Sequence, residues 1–217
     1  MSRISPAYRE DSYEGLPVGV KHYLDEHFLA SVPNQEAENP KLLIVFSGGN
    51  AVGKSSLSQK IARELHGVVL ENDAVKLNIL ECMPNIDRES LQLLTWQYTM
   101  NLYERCSDIK NGLIIRDGVI DWYYDRILPI FRKQGYEVFI VGYELSREKL
   151  IQLINSRGDK PTVSAKRLIS QLDDHEIHQK RFRAAYKPDI LLNDENVFNH
   201  DMVIDAIRSR INKLRDR

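Results

Sequence analysis

Residues 42–55 read LLIVFSGGNAVGKS. Five apolar residues, Leu42 to Phe46, run into a glycine loop that satisfies G-x-x-x-x-G-K-[ST] from Gly48 to Ser55. Beyond the loop, Leu57, Ile61 and Leu65 recur at helical spacing. Strand, glycine loop and helix N-terminus form the context in which this motif binds phosphate. Gly48 and Gly53 can take the backbone angles that bend a loop around an anion. Exposed N–H groups and the positive end of the helix dipole then hold the charge. The motif therefore assigns nucleotide phosphates to Gly48, Gly49, Asn50, Ala51, Val52, Gly53, Lys54, Ser55 and Ser56. Lys54 would reach the terminal phosphates and Ser55 would hold magnesium.

The rest of the chain repeats the same alternation. Further β-type runs lie at 67–72, 112–117, 136–143 and 188–193, each short and apolar on both alternating faces, as buried parallel strands are. Helical patterns fall between them at about 55–65, 74–83, 88–110, 121–134, 147–156 and 164–185, with a last one over about 199–214. This succession predicts a three-layer α/β/α fold, a five-stranded parallel sheet covered by helices on both faces. Asp87, Asp121 and Ser146 suit helix N-caps. Asn111-Gly112 and Gly135 suit helix ends in the left-handed conformation. Pro129 falls inside a helical run, where it should kink the helix or start a new one at Leu128.

Residues 1–41 form an N-terminal extension with one amphipathic helix, opened by Pro17 and closed by Pro33, and a polar linker before the first strand. Val20, Tyr23, Leu24, His27 and Phe28 share one face of that helix, which must dock either on its own domain or on a protein partner. Residues 42–217 make the nucleotide-binding domain.

Composition bounds the function. The 217 residues carry 30 Lys or Arg against 31 Asp or Glu, a net charge of −1, which argues against a dedicated nucleic-acid binder. No apolar run is long enough to cross a membrane, and two cysteines, Cys82 and Cys106, without metal-ligand spacing read as reduced thiols, so the expected address is the cytoplasm.

Parallel sheets place their functional residues at the carboxyl ends of strands. Asp117 ends the run Leu113-Ile114-Ile115 and is the expected second magnesium ligand beside Ser55. Asp73 follows the run over 68–72 and should point into the same crevice, with Glu71 a weaker candidate two residues earlier. From Arg147 to Lys187 there are ten Lys or Arg against five Asp or Glu. That excess reads as a basic lid over about 157–187, closing on the phosphates. Arg157 is its expected catalytic arginine, with Lys160 and Arg167 behind it, whereas Lys180, Arg181 and Arg183 read as surface charges. His175 and His178 read as a solvated helix face, and Trp96, Tyr98 and Tyr103 as core, with stacking of one of them on an acceptor as the alternative.

The stretch IVFSGGNAVGKSSLSQKIARELHGVVLENDAVK and the later LIQLINSRGDKPTVSAKRLISQLDD resemble the P-loop kinases, within them the AAA_33, zeta-toxin and chloramphenicol phosphotransferase group. The resemblance covers residues 42–195 and implies a strand order of 2-3-1-4-5, ATP with magnesium, and Asp73 as the base that deprotonates an acceptor hydroxyl. Lys76 stands where the group often has arginine, so the acceptor contacts differ. The expected activity is ATP-dependent phosphoryl transfer to a hydroxyl of a small molecule such as a nucleoside or nucleotide, an amino sugar or an antibiotic. The rivals are a nucleotide-binding switch without an acceptor and, as a variant of the kinase reading, a zeta-like toxin.

Overall fold

The computed structural model describes residues 17–29, 39–106, 109, 111–159 and 163–217. In chain order the elements are α1 (Val18–His27), β1 (Leu42–Ser47), α2 (Lys54–Leu65), β2 (Val68–Glu71), α3 (Asn72–Cys82), α4 (Arg88–Glu104), β3 (Leu113–Val119), α5 (Tyr124–Lys133), β4 (Glu137–Glu144), α6 (Arg147–Arg157), α7 (Ala165–Ser170), α8 (Leu172–Ala185), β5 (Ile190–Asn193) and α9 (His200–Arg215). The five strands pair in parallel in the order β2-β3-β1-β4-β5, as expected. β1 is buried along its whole length because both faces of the central strand are covered.

Alternation along the strands divides the core in two. Leu42, Ile44, Phe46, Leu113 and Ile115 face α2 and α9, while Leu43, Val45, Ile114 and Leu70 face α3, α4 and α5. The second face also receives α1. Leu24 and Phe28 are buried there, Phe28 meets the Tyr98 ring edge-on at 6.1 Å, and Tyr98 donates to Asp25 at 3.1 Å. The apolar stripe of the N-terminal helix is thus used within its own chain. Pro33 and residues 34–38 of the linker lie outside the described residues. Among those described, no helix is long and apolar enough to cross a membrane.

Several local expectations are corrected. Asp121 does not cap α5, whose first residue is Tyr124; it is buried and accepts from the Gly48 N–H instead. The helix expected over 88–110 ends at Glu104, and the one expected over 164–185 is broken at Gln171 into α7 and α8. Pro129 sits inside a single helix, α5, whose buried Ile127, Leu128 and Phe131 anchor it on both sides of the proline. Gly112 ends no helix in the left-handed region. A Cβ there would lie 2.1 Å from the Asn39 carbonyl oxygen, so close backbone approach demands the glycine. Gly135, with φ of 84°, does take the left-handed conformation after α5.

Candidate functional site

The loop after β1 has the bent backbone its glycines permit. Gly48 and Gly53 have φ of 127° and 89°, and Ala51 between them also has a positive φ of 65°. Gly48 has no room for a side chain, since a Cβ would lie 2.8 Å from both Tyr143 Cβ and its carbonyl oxygen. Lys54 opens α2, is 8% exposed, and donates from Nζ to the Gly49 carbonyl at 2.6 Å. Burial pulls its pKa down from 10.5 to about 8; Asp117 and Asp121 oppose that fall, and Arg157 and Arg116 deepen it.

Beside the loop, β3 departs from regular pairing. Ile44 of β1 lies opposite Ile115, but Phe46, two residues on, lies opposite Val119, four residues on. Arg116, Asp117 and Gly118 occupy the resulting bulge, a device that re-aims side chains at a strand end. The Asp117 carboxylate faces the Ser55 hydroxyl and the Lys54 ammonium. Its carboxyl pKa is raised, foremost by burial and also by the charge of Asp73, while Ser55, Lys54 and Arg116 pull the other way. One hydroxyl and one carboxylate at the end of a phosphate loop form a donor set suited to magnesium, which keeps most of its water ligands.

Asp73 does not end a strand. Helix α3 begins at Asn72, so Asp73 stands in its first turn, half exposed, with Lys76 Nζ 3.1 Å from its carboxylate. Glu71 accepts a hydrogen bond from Gln59 of α2 and lines the same crevice as Asp73. A crevice of about 880 Å³ joins the expected residues: it is lined by Asn50, Ala51, Gly53, Lys54, Ser55, Ser56, Asp73, Asp117, Arg157 and Arg167. Gly48, Gly49 and Val52 belong to the loop but not to that lining, and Lys160 lies outside the described residues.

The basic segment is partly fixed. Arg157 ends α6, and Gly158 with φ of 69° turns the chain. Ile154, Leu168 and Leu172 then pack α6, α7 and α8 into a small separate core. Helix α8 is tied to the sheet: Phe182 is buried, and both Gln179 and Arg183 donate to the Tyr143 carbonyl, at 2.7 and 2.9 Å. Arg183, expected at the surface, has a half-buried side chain that also pairs with Glu144 at 2.8 Å.

His175 overturns the expectation of a solvated face. It is 8% exposed and lies between the phosphate loop and the segment after β3. Trp122 Nε1 donates to its Nδ1 at 3.1 Å, and the Asn50 amide meets its Nε2 at 2.7 Å. An indole N–H can only donate, so Nδ1 accepts and Nε2 carries the proton, which requires the Asn50 amide, placed with its Nδ2 toward the ring, to be turned so that its oxygen accepts. Burial, with Lys54 and His178 adding to it, lowers the His175 pKa to about 4 and keeps this tautomer neutral. His178 stacks on Trp122 at 3.9 Å. Besides Phe198, the aromatic side chains in the crevice lining are Trp122 and Tyr123, whereas Tyr98 and Tyr103 are core and Trp96 packs on Tyr123 at 4.7 Å. Both lie just past the carboxyl end of β3, the position rule that pointed to Asp117.

A family model described as an AAA domain, AAA_33, matches residues 43–180. No curated protein matches the chain. Among solved structures the chain is similar to a candidate kinase from Chloroflexus aurantiacus, at 21% identity over 82% of this chain and 99% of that one, with a TM-score of 0.55. It is also similar to the tunicamycin resistance protein of Deinococcus radiodurans, at 14% identity over 80% and 96% of the two chains, with a TM-score of 0.54. A third is a chain of the PezAT toxin–antitoxin system of Streptococcus pneumoniae, at 12% identity over 91% and 97%, with a TM-score of 0.52. At these identities the likeness concerns the fold. The matched span holds the loop, Asp73, Asp117 and four of the five strands, and the chain belongs to the AAA_33 family, on the P-loop NTPase fold.

Proposed function

We propose that the protein transfers the terminal phosphoryl group of ATP to a hydroxyl of a small molecule. The observation that carries this reading is the meeting of Lys54, Ser55, Asp117, Asp73 and Arg157 in one crevice, which supplies a phosphate cradle, a metal site and a carboxylate outside both. Loop N–H groups and Lys54 bind the phosphates and orient them, and Arg157 stabilises the charge on the moving group. Ser55 and Asp117 would hold magnesium, which supplies charge neutralisation at the phosphates. Asp73 accepts the acceptor's hydroxyl proton as the new O–P bond forms; the bond from phosphorus to the bridging oxygen breaks and ADP leaves.

Asp73 bears on the rival reading, a switch that binds nucleotide without an acceptor. With the protein screened against nucleosides, sugars and antibiotics, Asp73→Asn should lower phosphotransfer by about a hundredfold or more while ATP affinity stays within about threefold. Phosphotransfer unchanged in Asp73→Asn removes the base from its role, and ATP hydrolysis with no phosphorylated product across the panel favours the switch.

A further inference from the structure

Arg116 is a charged side chain in the crevice that the proposed reaction does not use, and the most buried of those. It is 2% exposed, and its Nε and Nη1 are buried without a hydrogen-bond partner. Its guanidinium lies 6.0 Å from the Tyr103 ring centroid, and the carboxylate of Asp117 beside it in the chain is shared among Ser55, Lys54 and Arg116. A guanidinium keeps its proton at any working pH, so burial cannot neutralise it as burial can a lysine. Buried N–H donors left without an acceptor are costly, the more so on a charged group. Such a group is retained where something else completes its hydrogen bonds.

The bulge in β3 and the residue after Arg116 keep its surroundings open. A Cβ on Gly118 would come within 3.2 Å of Nη1, so the glycine leaves the guanidinium its space. The side of the sheet is also decided. Arg116 pairs with Leu70 and shares the face covered by α3 and α4, whereas Asp117 pairs with Glu71 on the side of α2, the helix that begins at the phosphate loop. Asp73 and Lys76 of α3 and Gln92 of α4 line the crevice on that same side.

We infer that Arg116 receives an anionic group carried by the acceptor, a carboxylate, sulfate or phosphate separate from the hydroxyl that is phosphorylated. This rests on the phosphotransfer reading, because it needs an acceptor in the half of the crevice that Asp73 faces. A planar guanidinium presents paired N–H donors that match two oxygens of such a group. An acceptor without an anionic group would leave those buried donors unsatisfied, so Arg116 selects against unsubstituted sugars and uncharged antibiotics.

The test uses the full chain loaded with magnesium and a non-hydrolysable ATP analogue, so that the phosphate loop is filled. Inorganic sulfate is then titrated by calorimetry. Saturable one-site binding is expected, weakened about tenfold or more in Arg116→Gln and less in Arg116→Lys, which keeps the charge but loses the fork. Gly118→Ala, which crowds the guanidinium without removing a charge, should also weaken sulfate binding and serves if Arg116→Gln does not fold. Affinity for the ATP analogue is the control that a merely structural role of Arg116 would move; it should stay within about threefold. Absence of saturable sulfate binding overturns the inference, as does equal binding in wild type and the Arg116 variants. Binding through Arg116 in a protein that phosphorylates no hydroxyl sinks the proposed function and leaves the anion site standing.

Discussion

Lys54→Met separates the strain of the phosphate loop from its use. At pH 7 the buried ammonium is held against a fall of its pKa from 10.5 to about 8. That difference corresponds to about 3 kcal/mol of penalty on the charged form. Methionine keeps the unbranched stem but removes the charge, so the nucleotide-free variant should gain stability, by about 2 kcal/mol after loss of the bond to the Gly49 carbonyl. In a domain of this size that is a rise of about 5 °C in melting temperature. Magnesium and ATP at about a hundred times the dissociation constant should add about 3 kcal/mol to the wild type and almost nothing to Lys54→Met, reversing the order of the two proteins. The pH dependence has a definite sign. Between pH 8 and 10.5 the unfolded chain holds the Lys54 proton and the folded one does not, so wild-type stability rises relative to the variant and the gap closes. Differential scanning fluorimetry of both proteins, with and without nucleotide, reads all three effects. A variant that melts several degrees below wild type without nucleotide refutes the burial argument, and equal shifts with ATP refute the role of Lys54 in binding.

His175 carries a pH signature of the same sign in a lower window. Its folded pKa of about 4 lies below the ordinary 6.5, so stability is full above pH 6.5 and falls as pH drops toward 4, by up to about 3 kcal/mol relative to His175→Gln. Urea unfolding of both proteins at pH 7.5 and 4.5 measures this, and parallel behaviour of the two would show that the Asn50–His175–Trp122 contact does not exclude the proton. Leu24→Ala tests whether α1 is part of the fold: the side chain is 0% exposed in the main core, so its truncation should cost about 2–5 kcal/mol. A loss below about 1 kcal/mol by chemical denaturation would mean that the helix adds little to the domain.

The strand pattern was legible because both faces of β1, β3 and β4 are covered, which forces runs of Val, Ile and Leu onto the chain. Helix ends were legible where a side chain caps them, as Asp87 and Ser146 do. They failed where long-range demands prevail. Asp121 carries the residue type of a cap, yet its partner is the Gly48 N–H, distant in sequence. Gly112 has the composition of a helix end, but what requires it is the passing backbone of Asn39. His175 shows the same limit, since nothing in its local pattern distinguishes a solvated histidine from one clamped between a loop amide and an indole.

By itself the sequence determined the glycine loop and the parallel sheet. Those features depend on local backbone angles and hydrophobic periodicity, both of which are written in nearest neighbours. Only the tertiary structure decided that Asp73 stands on a helix, that α8 is tied to the end of β4, and that Arg116, at the bulge in β3, is buried with Nε and Nη1 lacking hydrogen-bond partners. Each of these depends on which distant segment occupies the neighbouring space, and burial of a charge or an imidazole exists only once that segment has arrived.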